Sequence, residues 1–305
     1  MEEERPIGLY GFPPADLADL AAPALQFSPL VPGAKALEES DVGTLAKMVM
    51  LAPPGAAERR YALAQALRVL PPGAPLAAMA PKLKGGSRLR KELETFGCAV
   101  KETARRHHRI CVCERPAAVT GLDKALAEGD PRFVEDIGFW SQPGVFSWDR
   151  IDPGSALLVK HLSALSGRGA DFGCGFGYLA RAVLASPKVE SLILIDIDRR
   201  AVEAAKRNIA DPRASLRWAD LRDADTELNG LDFVVMNPPF HDGGAEDRAL
   251  GQSFIRRAAD ALRPGGTCWL TANRHLPYEG VMTPFFKRVT LKVEATGYKV
   301  YEARR

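Results

Sequence analysis

The sequence predicts an α/β protein, a mostly parallel sheet closed by an antiparallel hairpin and preceded by a smaller α/β domain. Three observations carry this. From residue 154 onward, apolar runs of strand length alternate with helical patterns, the order that builds a parallel sheet with right-handed crossovers. The run Asp171-Phe-Gly173-Cys-Gly175-Phe-Gly177 joins one of those strands to a helix. The length, 305 residues, exceeds the usual size of one core and fits two domains, divided here at 1–130 and 131–305.

In the second half the patterns give a helix over 154–165, a short strand to Asp171 and a helix over 177–185. A strand over 191–197, a helix from Arg199 to about Ala210 and a strand over 215–218 follow. The apolar run 231–236 reads as a buried strand, and 247–262 as a helix that Pro264-Gly-Gly266 terminates before a strand through Ala272. Strand patterns over 286–293 and 298–302, around Gly297, suggest the closing hairpin. The first half offers a strand over 47–51, a helix over 58–70 and a strand over 76–79. Residues 12–33, rich in Pro and Ala, promise little regular structure, so a truncated sheet is expected there.

Composition excludes some classes. An apolar fraction of 46% is ordinary for a globular protein, and no run approaches the ~18 apolar residues of a membrane span. Met1-Glu-Glu-Glu-Arg5 has the wrong charge for a signal peptide, so a cytoplasmic location is expected. The five cysteines have no zinc-like spacing. Cys111 and Cys113, two apart in a strand-like run, fit buried packing, and no metal is expected. His107 and His108 would point apart on a strand, which argues against joint ligation.

The chemistry-bearing residues fall at successive strand ends. Asn237-Pro238-Pro239-Phe240 follows the strand 231–236. An amide oxygen and a carbonyl with no N–H following it can accept from a planar NH2 group while the ring stacks on its plane. The prolines fix φ and hold the acceptors in place, although the same residues also suit a simple Pro-Pro turn. The alternate glycines Gly173, Gly175 and Gly177 suit a nucleotide-binding turn, and Gly175, Gly177 and Ala180 would pass equally as a dinucleotide fingerprint. Asp171 discriminates: a carboxylate there repels a pyrophosphate but attracts the ammonium and sulfonium of S-adenosylmethionine. Asp196 lies 19 residues beyond Gly177, at ribose-binding spacing. Asp198 reads as a helix cap. Asp220, after the strand 215–218, suits either an acceptor for the adenine amino group or a solvated turn acid beside Asp223 and Asp225.

Net charge is only +3, but between Lys82 and Arg109 nine Lys or Arg face three Glu. Lys82, Lys84, Arg88 and Arg90 are therefore candidate phosphate contacts on helices, with a solvated helical surface as the plain alternative. His241 is a candidate contact to substrate phosphate or ribose, or a surface histidine. Phe146 either closes the cofactor pocket or packs in the core.

Taken together, residues 171–240 look like a class I S-adenosylmethionine-dependent methyltransferase acting on exocyclic or amide nitrogens. Pro143-Gly-Val-Phe-Ser147, Asp152-Pro-Gly-Ser155, Phe240-His-Asp-Gly243 and Ala272-Asn-Arg-His-Leu-Pro-Tyr278 are similar to segments of the ribosomal RNA small subunit methyltransferase C family. The resemblance covers 130–305 well and the first half loosely. It implies a Rossmann-like class I methyltransferase sheet, preceded by a degenerate methyltransferase-like domain that helps position RNA. It further implies methylation of guanine N2 in 16S ribosomal RNA within the small subunit. Large-subunit guanine, adenine N6 and protein glutamine N5 are the rival acceptors. A nicotinamide oxidoreductase and a non-catalytic RNA-binding assembly factor are the rivals from other classes. In the first half Ala52-Pro-Pro-Gly55 takes the place of the later motif without its acceptor amide, and no aspartate-plus-glycine turn precedes it.

Overall fold

The computed structural model describes residues 5–18, 24–223, 228–239 and 245–305. The chain divides into two compact units, Met1–Pro131 and Arg132–Arg305. No helix among the described residues is long and apolar enough to cross a membrane.

The first unit runs β1 (Ile7–Tyr10), α1 (Ala15–Ala18), β2 (Ala24–Gln26), β3 (Lys47–Leu51), α2 (Ala56–Val69) and β4 (Pro75–Pro81). After a kinked turn at Lys82–Gly86, non-helical at Lys84 and Gly85, come α3 (Ser87–Thr95), β5 (Lys101–Arg105), β6 (His108–Glu114) and α4 (Leu122–Gly129). Its sheet has six strands in the order β2-β1-β3-β4-β6-β5, parallel up to β4 and antiparallel beyond. Met48, Met50, Leu63, Leu67 and Phe96 fill the core, together with Cys111 and Cys113.

The second unit opens with a small hairpin, β7 (Arg132–Val134) and β8 (Phe139–Ser141). Then come α5 (Pro153–His161), β9 (Gly167–Phe172), α6 (Tyr178–Leu184), β10 (Val189–Asp196), α7 (Arg199–Asn208) and β11 (Ala214–Trp218). The remainder is β12 (Leu231–Met236), α8 (Ala245–Ala261), β13 (Leu262–Asn273), α9 (Tyr278–Met282), β14 (Arg288–Ala295) and β15 (Tyr298–Arg304). These make a seven-stranded sheet, β11-β10-β9-β12-β13-β15-β14, with only the last two strands antiparallel to their neighbours. β12 is buried at every position except Asp232, as a parallel strand covered on both faces must be. Phe172, Met236, Ile255 and Tyr301 pack in one cluster, and Leu158, Leu194, Phe233 and Trp269 in another.

The two sheets share a strand order. Reading outward from the central pair, β1, β2, β3, β4, β6 and β5 correspond to β9, β10, β12, β13, β15 and β14. Among the described residues the first sheet is thus shorter than the second by one edge strand, the counterpart of β11. The expected truncation is that strand alone, since residues 12–33 supply β2 and the short α1 where their composition promises little order.

Three further expectations change. Pro264-Gly-Gly266 does not end a helix before a strand; it bulges within β13. Leu262 pairs with Leu231 and Thr267 with Phe233, so the intervening residues loop out against β12. Gly266 fits there because an added Cβ would lie 2.9 Å from the Leu231 carbonyl oxygen, and a bulge tolerates a proline that donates no ladder bond. The basic stretch beyond Lys101 is a hairpin, not a helix. Its turn holds Arg106 and His107 at φ 45° and 61°, so His107 is not on a strand. Finally, α5 stops at His161, short of Leu165.

Candidate active site

The carboxyl ends of β9, β10, β12 and β13 face one cavity of about 540 Å³, within the usual range for a small-molecule site. β9 has β10 on one side and β12 on the other. The connections leave β9 in opposite directions across the sheet, and crevices form where strand order reverses in this way. Gly173, Gly175, Asp196, Asp220, Asn237 and Pro238 all lie on its wall. Phe146 lies there too, and it is 57% exposed, so it belongs to the rim and not to the core.

The glycine turn is bent in a way that needs glycine. Gly173, Gly175 and Gly177 have φ of 70°, 53° and 93°. A Cβ on Gly175 would meet nothing within 4 Å and would project into open space, so that glycine keeps clear the room a ligand needs. Gly177 N-caps α6 and packs toward Ile209; it is not on the cavity wall. The Gly175 N–H donates to Asp196 Oδ2 and the Asp198 N–H to Asp196 Oδ1, each at 2.9 Å. These bonds fix the carboxylate and leave each oxygen a lone pair. Asp198 itself caps α7 by accepting from the Arg200 N–H, and its carboxylate takes the Arg200 guanidinium.

Asp171 sits deeper than its sequence role implies. It is fully buried, does not line the cavity, and neither side-chain oxygen has a sound hydrogen bond among the described residues. Burial, reinforced by the negative charge of Asp196, pushes its carboxyl up to about 8. Burial also lifts Asp196 to about 6. An unbalanced pair of acids this close to a cavity favours a cationic occupant. Asp220 is balanced locally: the Arg222 guanidinium bonds both its oxygens and holds it below the ordinary carboxylate range.

The amide of Asn237 is anchored by two neighbours, Asp152 on the same cavity wall and the buried Ser155. Its Nδ2 donates to Asp152 Oδ1 and to Ser155 Oγ, both at 2.9 Å. Both amide hydrogens are then used, which leaves Oδ1 to accept. Pro238 and Pro239 follow, with no N–H to compete for the carbonyls before them. Phe240 and His241 lie outside the described residues.

The basic candidates belong to the first unit. Lys82 and Lys84 stand on the kinked turn, where the Lys84 backbone is not helical, and Arg88 and Arg90 on α3, all exposed. Arg90 is paired with Glu94 at 2.8 Å. The turn is held by the Lys82 N–H donating to the His107 carbonyl, and it presents Leu83 at 95% exposure. Behind it, the loop after β3 is occupied by the protein itself. Arg59, 1% exposed, donates to the Pro53 and Pro54 carbonyls at 3.1 and 2.7 Å, and Glu92 clamps its guanidinium at 2.6 and 2.7 Å.

Sequence reasoning gives no site role to Asp152, Ser155, Arg222, Asn273 or Tyr298. Asp152 is the N-cap of α5 in the structure, and its second bond, to Asn237, joins residues far apart in the chain. Tyr298 reaches the cavity from a strand 61 residues beyond Asn237, through the fold alone.

This sheet, with its glycine turn and strand-end cavity, defines a methyltransferase of the small-domain class, and the family model described as "Methyltransferase small domain" matches residues 136–302. Among the relatives are three proteins called ribosomal RNA small subunit methyltransferase C. The one from Stutzerimonas stutzeri is 34% identical over 248 residues, covering 80% of this chain and 74% of its own. That from Pseudomonas paraeruginosa is 32% identical, covering 87% and 80%. That from Shewanella sediminis is 38% identical over 161 residues, 52% of this chain, and there the match spans about half of the relative's length, 46%. The chain belongs to the ribosomal RNA small subunit methyltransferase C family. In fold it matches a T. thermophilus 16S rRNA N2 G1207 methyltransferase, solved in complex with AdoMet and guanosine. The TM-score is 0.80 at 23% identity, covering 100% of this chain and 89% of that one.

Proposed function

We propose that this protein transfers a methyl group from S-adenosylmethionine to the exocyclic N2 of a guanine in 16S ribosomal RNA, acting in the cytoplasm on the small ribosomal subunit. The observation that carries this reading is the Asn237 amide on the cavity wall next to Pro238, its NH2 held by Asp152 and Ser155 so that its oxygen is left to accept.

The residues present fit the cofactor. A fully buried carboxyl without a hydrogen bond, Asp171, lies near a second acid, Asp196, so a cation is favoured. A Cβ at Gly175 would intrude on the open space beside the glycine turn, where a ligand can approach the backbone. Asp196 keeps free lone pairs suited to ribose hydroxyls, and Asp220 suits an adenine amino group. When bound, S-adenosylmethionine supplies an electrophilic methyl on a sulfonium.

The chain's own task is to present the nucleophile. The guanine amino lone pair is delocalised into the ring. Asn237 Oδ1 and the Pro238 carbonyl would accept from that NH2 and stabilise the positive character it gains in the transition state. Pro238 and Pro239 keep these acceptors from reorganising. Phe240 would stack on the base, Phe146 would cover the rim, and His241 would reach the substrate backbone. A paired guanine must be extruded at a cost of a few kcal/mol, so a structured RNA element is the natural substrate. Lys82, Lys84, Arg88 and Arg90 would give the first unit its phosphate contacts, while Arg59 in its strand-end loop leaves that unit no room for an acceptor base.

The test offers tritiated S-adenosylmethionine with small subunits, large subunits, duplex DNA and release factors in parallel. Label confined to small-subunit RNA, and mapped by mass spectrometry to guanine N2, is the expected result. Label on any other acceptor, or tight NADH binding by calorimetry, would overturn it.

A further inference from the structure

We infer that Asp152 and Ser155 are positioning residues for methyl transfer, fixing which end of the Asn237 amide meets the acceptor nitrogen. The inference rests on the reading of Asn237 above.

An amide side chain can face a cavity with either its oxygen or its NH2, and only the oxygen can accept from a guanine amino group. Asp152 settles the choice. A carboxylate only accepts, so the Asn237 atom 2.9 Å from its Oδ1 must be the NH2. Ser155 Oγ, also at 2.9 Å, takes the second hydrogen. A flipped amide would lose its bond to Asp152 and bring its oxygen against an anion, with at most a reversed bond from the Ser155 hydroxyl in return. Asp152 is in turn immobile. The same Oδ1 accepts the Ser155 N–H at 2.8 Å as the cap of α5, with Pro153 next in the chain. Gly154 lets the Tyr298 ring lie against this turn: a Cβ there would be 2.6 Å from the ring and 3.1 Å from Asp152 Oδ1. Ser155 is buried. A negative charge bonded to the NH2 end also polarises the amide toward Oδ1, which strengthens it as positive charge grows on the reacting nitrogen.

Asp152→Asn tests this, because asparagine can keep an oxygen at the cap and toward Asn237 but removes the negative charge that orients and polarises the amide. The expected loss in kcat is roughly 10- to 100-fold, the scale for outer-shell residues that orient a reacting group. KM for RNA and Kd for S-adenosylhomocysteine should stay within about two-fold of wild type, the signature of an interaction used in the transition state. Ser155→Ala, which leaves the cap in place, should show a smaller loss of the same kind and serves if Asp152→Asn fails to fold. The deciding measurement is a double-mutant cycle with Asn237→Ala. Loss in the Asn237 background that vanishes in the Asn237→Ala background supports the inference. Equal loss in both backgrounds, or wild-type kcat in Asp152→Asn and Ser155→Ala, overturns it. Wild-type kcat in Asn237→Ala would sink the reading of Asn237 itself and the inference with it, and is distinguishable because it appears in the single variant.

Discussion

Asp171 on β9 pairs in register with Leu194 on β10, two residues before Asp196, and burial together with the negative charge of Asp196 on the cavity wall raises Asp171 to about 8. An unfolded aspartate loses its proton near 4. The folded protein therefore holds an extra proton between about pH 4 and 8, and loses stability as pH rises through that window. Asp171→Asn should flatten this decline and raise the melting temperature of the cofactor-free protein at pH 8, while weakening S-adenosylhomocysteine binding. Calorimetry at pH 7 in buffers of different ionisation enthalpy should show proton release on binding to the wild type and not to the variant.

Asn237→Ala should lower kcat on the order of 10²-fold or more, by comparison with single oxyanion-hole groups, with cofactor affinity preserved. Single-turnover rates with saturating cofactor measure this directly.

Charge reversal at Lys82, Lys84 and Arg88 should weaken RNA binding and reduce the slope of log K against log salt by about 0.7 to 0.9 for each phosphate no longer neutralised. Cofactor affinity should not change. Filter binding across a salt series checks the first effect and calorimetry the second.

Arg59→Met leaves Glu92 unpaired beside two unsatisfied proline carbonyls, and should cost about 3 to 5 kcal/mol, the penalty for breaking a buried ion pair by removing one partner. Arg59→Met with Glu92→Leu should recover much of that. Urea titrations of both variants decide.

How much of the fold and site is legible in the sequence varies with the kind of signal. β12 and β10 are apolar runs with sharp ends, and their boundaries agree with the sequence to within two residues. The glycine turn is readable because alternate glycines have few other uses. What escapes is anything relying on a residue with two jobs. Asp152 satisfies its helix-capping pattern completely, so nothing in the chain advertises the bond to Asn237, 85 residues away. Pro264-Gly-Gly266 has the composition of a terminator, and only pairing with β12 reveals a bulge. The depth of Asp171 below the cavity wall depends on which strands flank β9, which no local pattern encodes.

The strand missing from the first sheet bears on engineering. In the second unit, β11 leads directly into Asp220, Leu221 and Arg222, which close one side of the cavity. Among the described residues the first sheet stops at β2 and has nothing to extend there. Placing a glycine turn after β1, an asparagine before Pro53 and a small residue at position 59 would still leave a bay open on one flank. Giving that half a closed cavity would demand new chain length as well as new side chains.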